Sequence, residues 1–86
     1  MPDLEDRFAT AAAEARELPA TPGNEDLLRL YALYKQGSAG DVTGDRPGMM
    51  DFVGRAKHDA WDGLRGTSQP DAMQMYIDLV EGLKQG

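Results

Sequence analysis

Six side chains in this sequence have the types and spacing to recognise a phosphorylated aromatic ligand. Tyr31, Tyr34 and Lys35 lie three and four residues apart in LYALYKQ, so on a helix they project from adjoining parts of one face. Lys57 is one turn from both Val53 and Trp61, Arg16 is four residues from Ala12, and Tyr76 falls inside a further apolar stripe. Ammonium and guanidinium groups give charge-assisted bonds to phosphate, and tyrosine rings offer an aryl surface with a polar tip. The same residues have a plainer reading. Tyrosines in helical stripes are commonly core residues whose hydroxyls reach water, and lysines at stripe edges extend their ammonium groups into solvent. Periodicity leaves both readings open.

Other chemistries find little support. His58 is the only histidine. Flanked by Lys57 and Asp59, it is expected to be partly exposed and structural. The chain has no cysteine, so there is no thiolate, and no second histidine with which to build a zinc site. Asp41 and Asp45 flank loop glycines but lack the ligand series and closing glutamate of an EF-hand. GSAG lacks the lysine of a phosphate loop. Met49, Met50, Met73 and Met75 read as core filler. No carboxylate stands in a distinctive apolar context. No catalytic residue, metal ligand or cofactor is therefore expected.

The elements that must position these groups are helices. Four segments show a period of three to four residues, and none sustains strand alternation. The first spans about Leu4 to Leu18, with a stripe of Leu4, Phe8, Ala11, Ala12, Ala15 and Leu18, Asp3 as N-cap and Pro19 as terminator. The second begins between Thr21 and Asn24, with either as cap and Pro22 at an early position. It runs through Leu27, Leu30, Tyr31 and Tyr34 to glycines 37–40. SAGDVTGDRPGMM follows, a turn-rich run expected to be a long functional or packed loop pinned by Val42, Met49 and Met50. The third helix is capped by Asp51 and reaches about Leu64, with Phe52 or Val53, Ala56, Ala60, Trp61 and Leu64 in its stripe. The fourth opens on a capping box, Ser68 to Asp71, with Met73, Tyr76, Ile77, Val80 and Leu83 facing inward. The short first connection favours an antiparallel pair of helices 1 and 2.

Composition bounds the partners. Eighty-six residues point to one small domain, with 41% hydrophobic and 28% charged residues, a globular mixture. Net charge is −6, which argues against nucleic acid, where phosphate neutralisation supplies most non-specific affinity. A local group of cations still suits a small phosphorylated ligand, because screening limits exposed charges to about 10 Å. No segment has the roughly 20 apolar residues of a membrane span, and MPDLEDRF lacks the basic start of a signal peptide. A cytoplasmic monomer without stable membrane insertion is expected.

Taken together, YALYKQ (residues 31–36), Gly40-Asp41, RPGMMD (46–51), RAKHDAW (55–61), Gly66 to Ser68 and AMQMYI (72–77) closely resemble the pattern of the acyl-CoA-binding protein family. The similarity extends to Phe8, Ala12 and Leu18. It implies an all-α, four-helix up-down-down-up bundle over residues 1–86, with a long loop between helices 2 and 3. It also implies a non-catalytic carrier and buffer of medium- to long-chain fatty acyl-CoA esters. On the family pattern, Tyr31, Lys35 and Lys57 hold the ribose 3′-phosphate, and Arg16 stands where a lysine often faces the CoA phosphates. Ala12 and Tyr34 line the nucleotide region, Leu27 and Leu28 line the groove, and Tyr76 stands at the contact of helices 1 and 4. Two residues depart from the pattern: His58 replaces a usual tryptophan, and Val53 an often-present lysine. The competing class is a helical protein-interaction module whose tyrosine face docks a partner helix. A thioesterase would need a nucleophile and base that the sequence does not offer.

Overall fold

The computed structural model describes residues 2–85 and contains four helices: α1 (Leu4–Ala15), α2 (Asn24–Ala39), α3 (Phe52–Asp62) and α4 (Gln69–Lys84). Three begin on a side-chain cap that satisfies an otherwise orphaned amide. Asp3 accepts from the Asp6 N–H at 2.8 Å, Asp51 from the Gly54 N–H at 2.9 Å, and Ser68 from the Asp71 N–H at 3.2 Å.

Element ends differ from expectation in three places. α1 stops at Ala15 rather than Leu18: Arg16 and Glu17 donate to the carbonyls of Ala13 and Glu14, a tightened last turn, and Leu18 must leave helical geometry ahead of Pro19. α2 is capped by Gly23, which makes no side-chain bond, so neither Thr21 nor Asn24 caps it and Pro22 lies before the helix. α3 ends at Asp62, and Leu64 sits in the following turn, where it still packs inward.

Helix directions follow from which ends meet. Gln36 and Gly37, near the end of α2, bond to Thr67 and Gln69 at the start of α4, so α2 and α4 are antiparallel. Glu14 and Lys84 pair at 3.0 Å near the ends of α1 and α4, so those two are parallel. Tyr31 meets Lys57 and Lys35 meets Trp61, so α2 and α3 run together. The bundle is up-down-down-up. Its extended interfaces are α2 with α4, α1 with α4, and α2 with α3. α1 and α2 are opposed in direction, as the short connection suggests, but α4 rather than α2 is the long neighbour of α1.

The main core joins Phe8 and Ala11 of α1, Leu30 and Leu33 of α2, and Tyr76, Ile77 and Val80 of α4; Met73 and Met75 pack against it. Gly37 lets the helices close here: a Cβ on it would stand 3.0 Å from Phe8 Cζ and 3.2 Å from Met73 Cγ. A smaller cluster of Ala32, Val42 and Trp61 ties α2, the loop and α3 together.

The long loop is held by polar bonds as much as by packing. Gly40 ends α2 at φ 83°, a conformation glycine adopts without steric cost, and its carbonyl accepts from Trp61 Nε1 at 2.8 Å. Fully buried Gln36 donates through Nε2 to Asp41 at 2.8 Å and to the Thr67 carbonyl at 2.7 Å. Asp41 also accepts from the Gly66 N–H at 2.9 Å. Arg46 grips Asp59 through two bonds, at 2.9 and 2.6 Å. Val42 is buried as expected, but Met49 and Met50 are exposed and neither pin the loop nor fill the core. Phe52 and Val53 likewise face out, because α3 has an extended contact with α2 alone and Trp61 supplies its buried anchor.

Candidate ligand-binding site

Two adjoining hollows lie along α2. The first, about 260 Å³, is formed by Ala12, Ala15 and Arg16 of α1, Leu30, Tyr31 and Tyr34 of α2, and Tyr76 of α4. Its floor is an aromatic group. Phe8 stacks on Tyr34 with centroids 5.4 Å apart, and Tyr76 meets both rings edge-on, at 5.2 Å from Phe8 and 5.9 Å from Tyr34. Such offset and edge-on pairs satisfy the ring quadrupoles and hold Tyr34 in place although it is 43% exposed. Burial pushes the Tyr76 phenol above its usual pKa, and Tyr34 adds to the shift while Arg16 opposes it. Tyr76 therefore stays a neutral donor.

The second hollow, about 390 Å³, is an apolar trough between the parallel starts of α2 and α3. Leu27, Leu28, Phe52, Val53 and Ala56 line it, with Asn24 and Lys57 as its polar members. The seam between the hollows is Tyr31 against Lys57, whose Nζ stands 5.2 Å from the ring centroid. One turn further along α2, Lys35 Nζ stands 5.2 Å from the Trp61 ring. Each cation is thus steadied over an aromatic face while three N–H donors remain for an anion.

Eight of the nine residues singled out from the sequence line these hollows. Ala12, Arg16, Tyr31, Tyr34 and Tyr76 line the first, and Leu27, Leu28 and Lys57 the second. Lys35 lines neither and lies over Trp61 beside them. Sequence reasoning missed Phe8 as the ring beneath Tyr34, Trp61 as the platform of Lys35, and Phe52 and Val53 as trough walls. A signal existed for the last two: adjacent residues at a helix start cannot both face the core.

His58 is partly exposed, with 19% of its side chain accessible, yet both ring nitrogens are buried without a hydrogen-bond partner among the described residues. Its closest acid, Asp59 at 3.8 Å, is already held by Arg46. Among the described residues, no three histidine, aspartate or glutamate side chains gather closely enough to hold a metal ion, and no helix is long and apolar enough to cross a membrane.

Comparison with known proteins points to one family. The acyl CoA binding protein family model matches residues 5–80. Acyl-CoA-binding protein homolog 1 of Caenorhabditis elegans is 50% identical over 76 residues, covering 88% of each chain. The acyl-CoA-binding protein homolog of Manduca sexta is 48% identical, covering 93% of this chain and 90% of its own. The crystal structure of Oryza sativa acyl-CoA-binding protein 2 superposes with a TM-score of 0.92 at 43% identity, covering 96% of this chain and 92% of that one. A family model that spans nearly the whole chain, relatives near half identity and a matching bundle lead to one assignment: the chain belongs to the acyl-CoA-binding protein family.

Proposed function

We propose that the protein binds medium- to long-chain fatty acyl-CoA thioesters non-covalently and serves as a carrier and buffer of them, as a cytoplasmic monomer. The observation that carries this reading is the seam of Tyr31 and Lys57, where an apolar trough meets a hollow walled by tyrosines and Arg16. An acyl-CoA ester has the same order of parts: a hydrocarbon chain, then a phosphorylated nucleotide. The chain lies in the trough against Leu27, Leu28 and Ala56. The adenine and ribose lie against Tyr31, Tyr34 and Ala12, and Lys35, Lys57 and Arg16 face the phosphates.

The energetics divide along the same seam. Each methylene removed from water contributes about 0.8 kcal/mol, so affinity rises with acyl length until the trough is filled. The head group adds charge-assisted bonds and fixes orientation. Covering the chain shields the thioester from water and keeps the amphiphile out of micelles. No chemical step is assigned to the protein: no nucleophile–base pair faces either hollow, and His58 lines neither. Nucleic acid is no partner on this reading, given the net charge of −6.

Calorimetric titration with palmitoyl-CoA, CoA and free palmitate tests the proposal. Palmitoyl-CoA is expected to bind far more tightly than either part. Equal, weak binding of all three, or palmitate binding as well as the thioester, would overturn it.

A further inference from the structure

A further hollow, about 420 Å³, opens between α2 and the end of α3, outside the two that make up the proposed site. Buried Ala32 and half-buried Leu28, Ala60 and Leu64 form its floor, and exposed Gly63, Glu25 and Arg29 surround its opening. At about 100° per residue along a helix, Glu25, Arg29 and Ala32 fall on the flank of α2 away from Tyr34. Leu28 also lines the trough, so the two hollows meet across its side chain.

The chemistry of this hollow narrows what fills it. Its floor is apolar. Glu25 and Arg29 are one turn apart and opposite in sign, so together they offer no net charge to an ionic ligand. The floor is also fixed: Ala32 is buried with Val42 and Trp61, and Ala60 and Leu64 pack against that cluster. A floor held this way does not collapse to fill the space. Nor does backbone geometry explain the missing side chain at the edge. Gly63 has φ −63° and ψ −15°, a conformation any residue adopts, and a Cβ on it would meet the Ala60 and Asp59 carbonyls at 3.4 and 3.6 Å, ordinary contact distances. Among the described residues Leu28 joins neither core cluster, so its side chain can change rotamer without disturbing the packed centre.

We propose that this hollow receives the far end of acyl chains too long for the trough, with Leu28 as the divider that the chain must pass. The inference rests on the acyl-CoA reading and deepens it. A chain that just fills the trough ends against Leu28. A longer one turns the Leu28 side chain aside and lays its terminal methyl on Ala32 and Ala60. The occupant is hydrocarbon because the hollow is apolar, uncharged on balance and continuous with the trough. Affinity then goes on rising past the length that fills the trough, and the further hollow sets where the rise stops.

The test is a displacement titration with saturated acyl-CoAs from lauroyl to behenoyl, kept below micelle-forming concentrations, against wild type and Gly63→Met. The two proteins should bind lauroyl-CoA equally. Beyond one length the curves should part: wild type gains up to about fourfold in Kd per added methylene, while the variant, its hollow covered, levels off. Ala60→Leu, which fills the floor, should level off at the same length. A measurement on wild type alone stands beside these. Nuclear Overhauser contacts should join the terminal methyl of isotope-labelled behenoyl-CoA, and not that of lauroyl-CoA, to the methyl groups of Ala32 and Ala60. Curves that coincide over the whole series, a loss in Gly63→Met that is the same at every length, or a behenoyl methyl that meets only trough residues each overturn the proposal. Normal lauroyl- and palmitoyl-CoA binding beside such a result removes this inference alone. Lauroyl- and palmitoyl-CoA binding no better than CoA removes the ligand assignment and the inference with it.

Discussion

Lys57→Met separates binding from folding. In the structure Lys57 is exposed, its Nζ lies over Tyr31, and its stem borders the trough. Methionine keeps most of the apolar stem and removes the charge. The folded chain loses one cation–π contact, about 0.5–1 kcal/mol at an exposed site, which lowers Tm by no more than about 8 °C in a chain of this size. Binding loses charge-assisted bonds to phosphate, about 1.5–3 kcal/mol, or about 10- to 150-fold in Kd for palmitoyl-CoA. The assay is calorimetry with palmitoyl-CoA and with its 3′-dephospho analogue, beside thermal melts. If Lys57 acts on the 3′-phosphate beside Lys35, wild type binds the dephospho analogue at least as weakly as the variant binds the full ligand, and the variant distinguishes the two esters less well than wild type does. An equal loss of affinity for both ligands would place Lys57 elsewhere. Unchanged affinity for both would refute the proposed phosphate contact.

Gly37→Ala should destabilise the fold by about 1–2 kcal/mol, read as a Tm several degrees lower: the gain in helix propensity is smaller than the cost of pressing a methyl group against Phe8 and Met73. A higher Tm would mean that the α1–α2–α4 crossing gives way easily. Gln36→Leu should cost about 1–3 kcal/mol in urea denaturation, because the Thr67 carbonyl loses a buried donor while the replacement keeps roughly the same volume; an unchanged midpoint would show that the loop clasp contributes nothing. Stability should fall on acidification. The Gly66 amide, then Gln36 and Arg65, hold the Asp41 carboxyl below its usual pKa, and the bond from Arg46 holds down that of Asp59. Their contribution is full above the unfolded value near 3.9 and is lost as pH falls through the lower folded values. The Asp41→Asn/Asp59→Asn variant should flatten that dependence below about pH 4, and an identical acid profile would exclude both carboxyls as its source.

The helices were legible because each carries a long periodic stripe and three carry a capping side chain. The proposed site was legible for a different reason: Tyr31, Lys57 and Arg16 are polar or charged residues at the edges of apolar stripes, where a pure core needs none. What stayed hidden was set by tertiary context. Gln36 is fully buried, yet in sequence it is an ordinary polar residue near a helix end; only the arrival of Asp41 and Thr67 gives its Nε2 partners. Lys35 looked like a neighbour of Tyr31, but its position over Trp61 depends on α3 running parallel to α2. Met49 and Met50 looked like core filler because methionine usually is, and nothing local reveals that the turn from Gly48 to Asp51 points away from the bundle.

The trough and the incomplete packing of α3 have one origin. α1, α2 and α4 enclose a core that is complete without α3. α3 has an extended interface only with α2 and buries one large side chain, Trp61. Its sequence would allow more, since Phe52, Val53 and Ala56 could cover a further helix face. The parallel course of α2 and α3 and the long loop between them leave that face without a protein partner. The cost is exposed apolar surface at Phe52, Val53 and Leu27, which water solvates poorly. On the proposed reading, a bound hydrocarbon chain is the missing layer for this face. On the same reading, much of the affinity comes from completing a packing interface, which tolerates chains of different length, while Tyr31, Lys35, Lys57 and Arg16 would hold and select the head group.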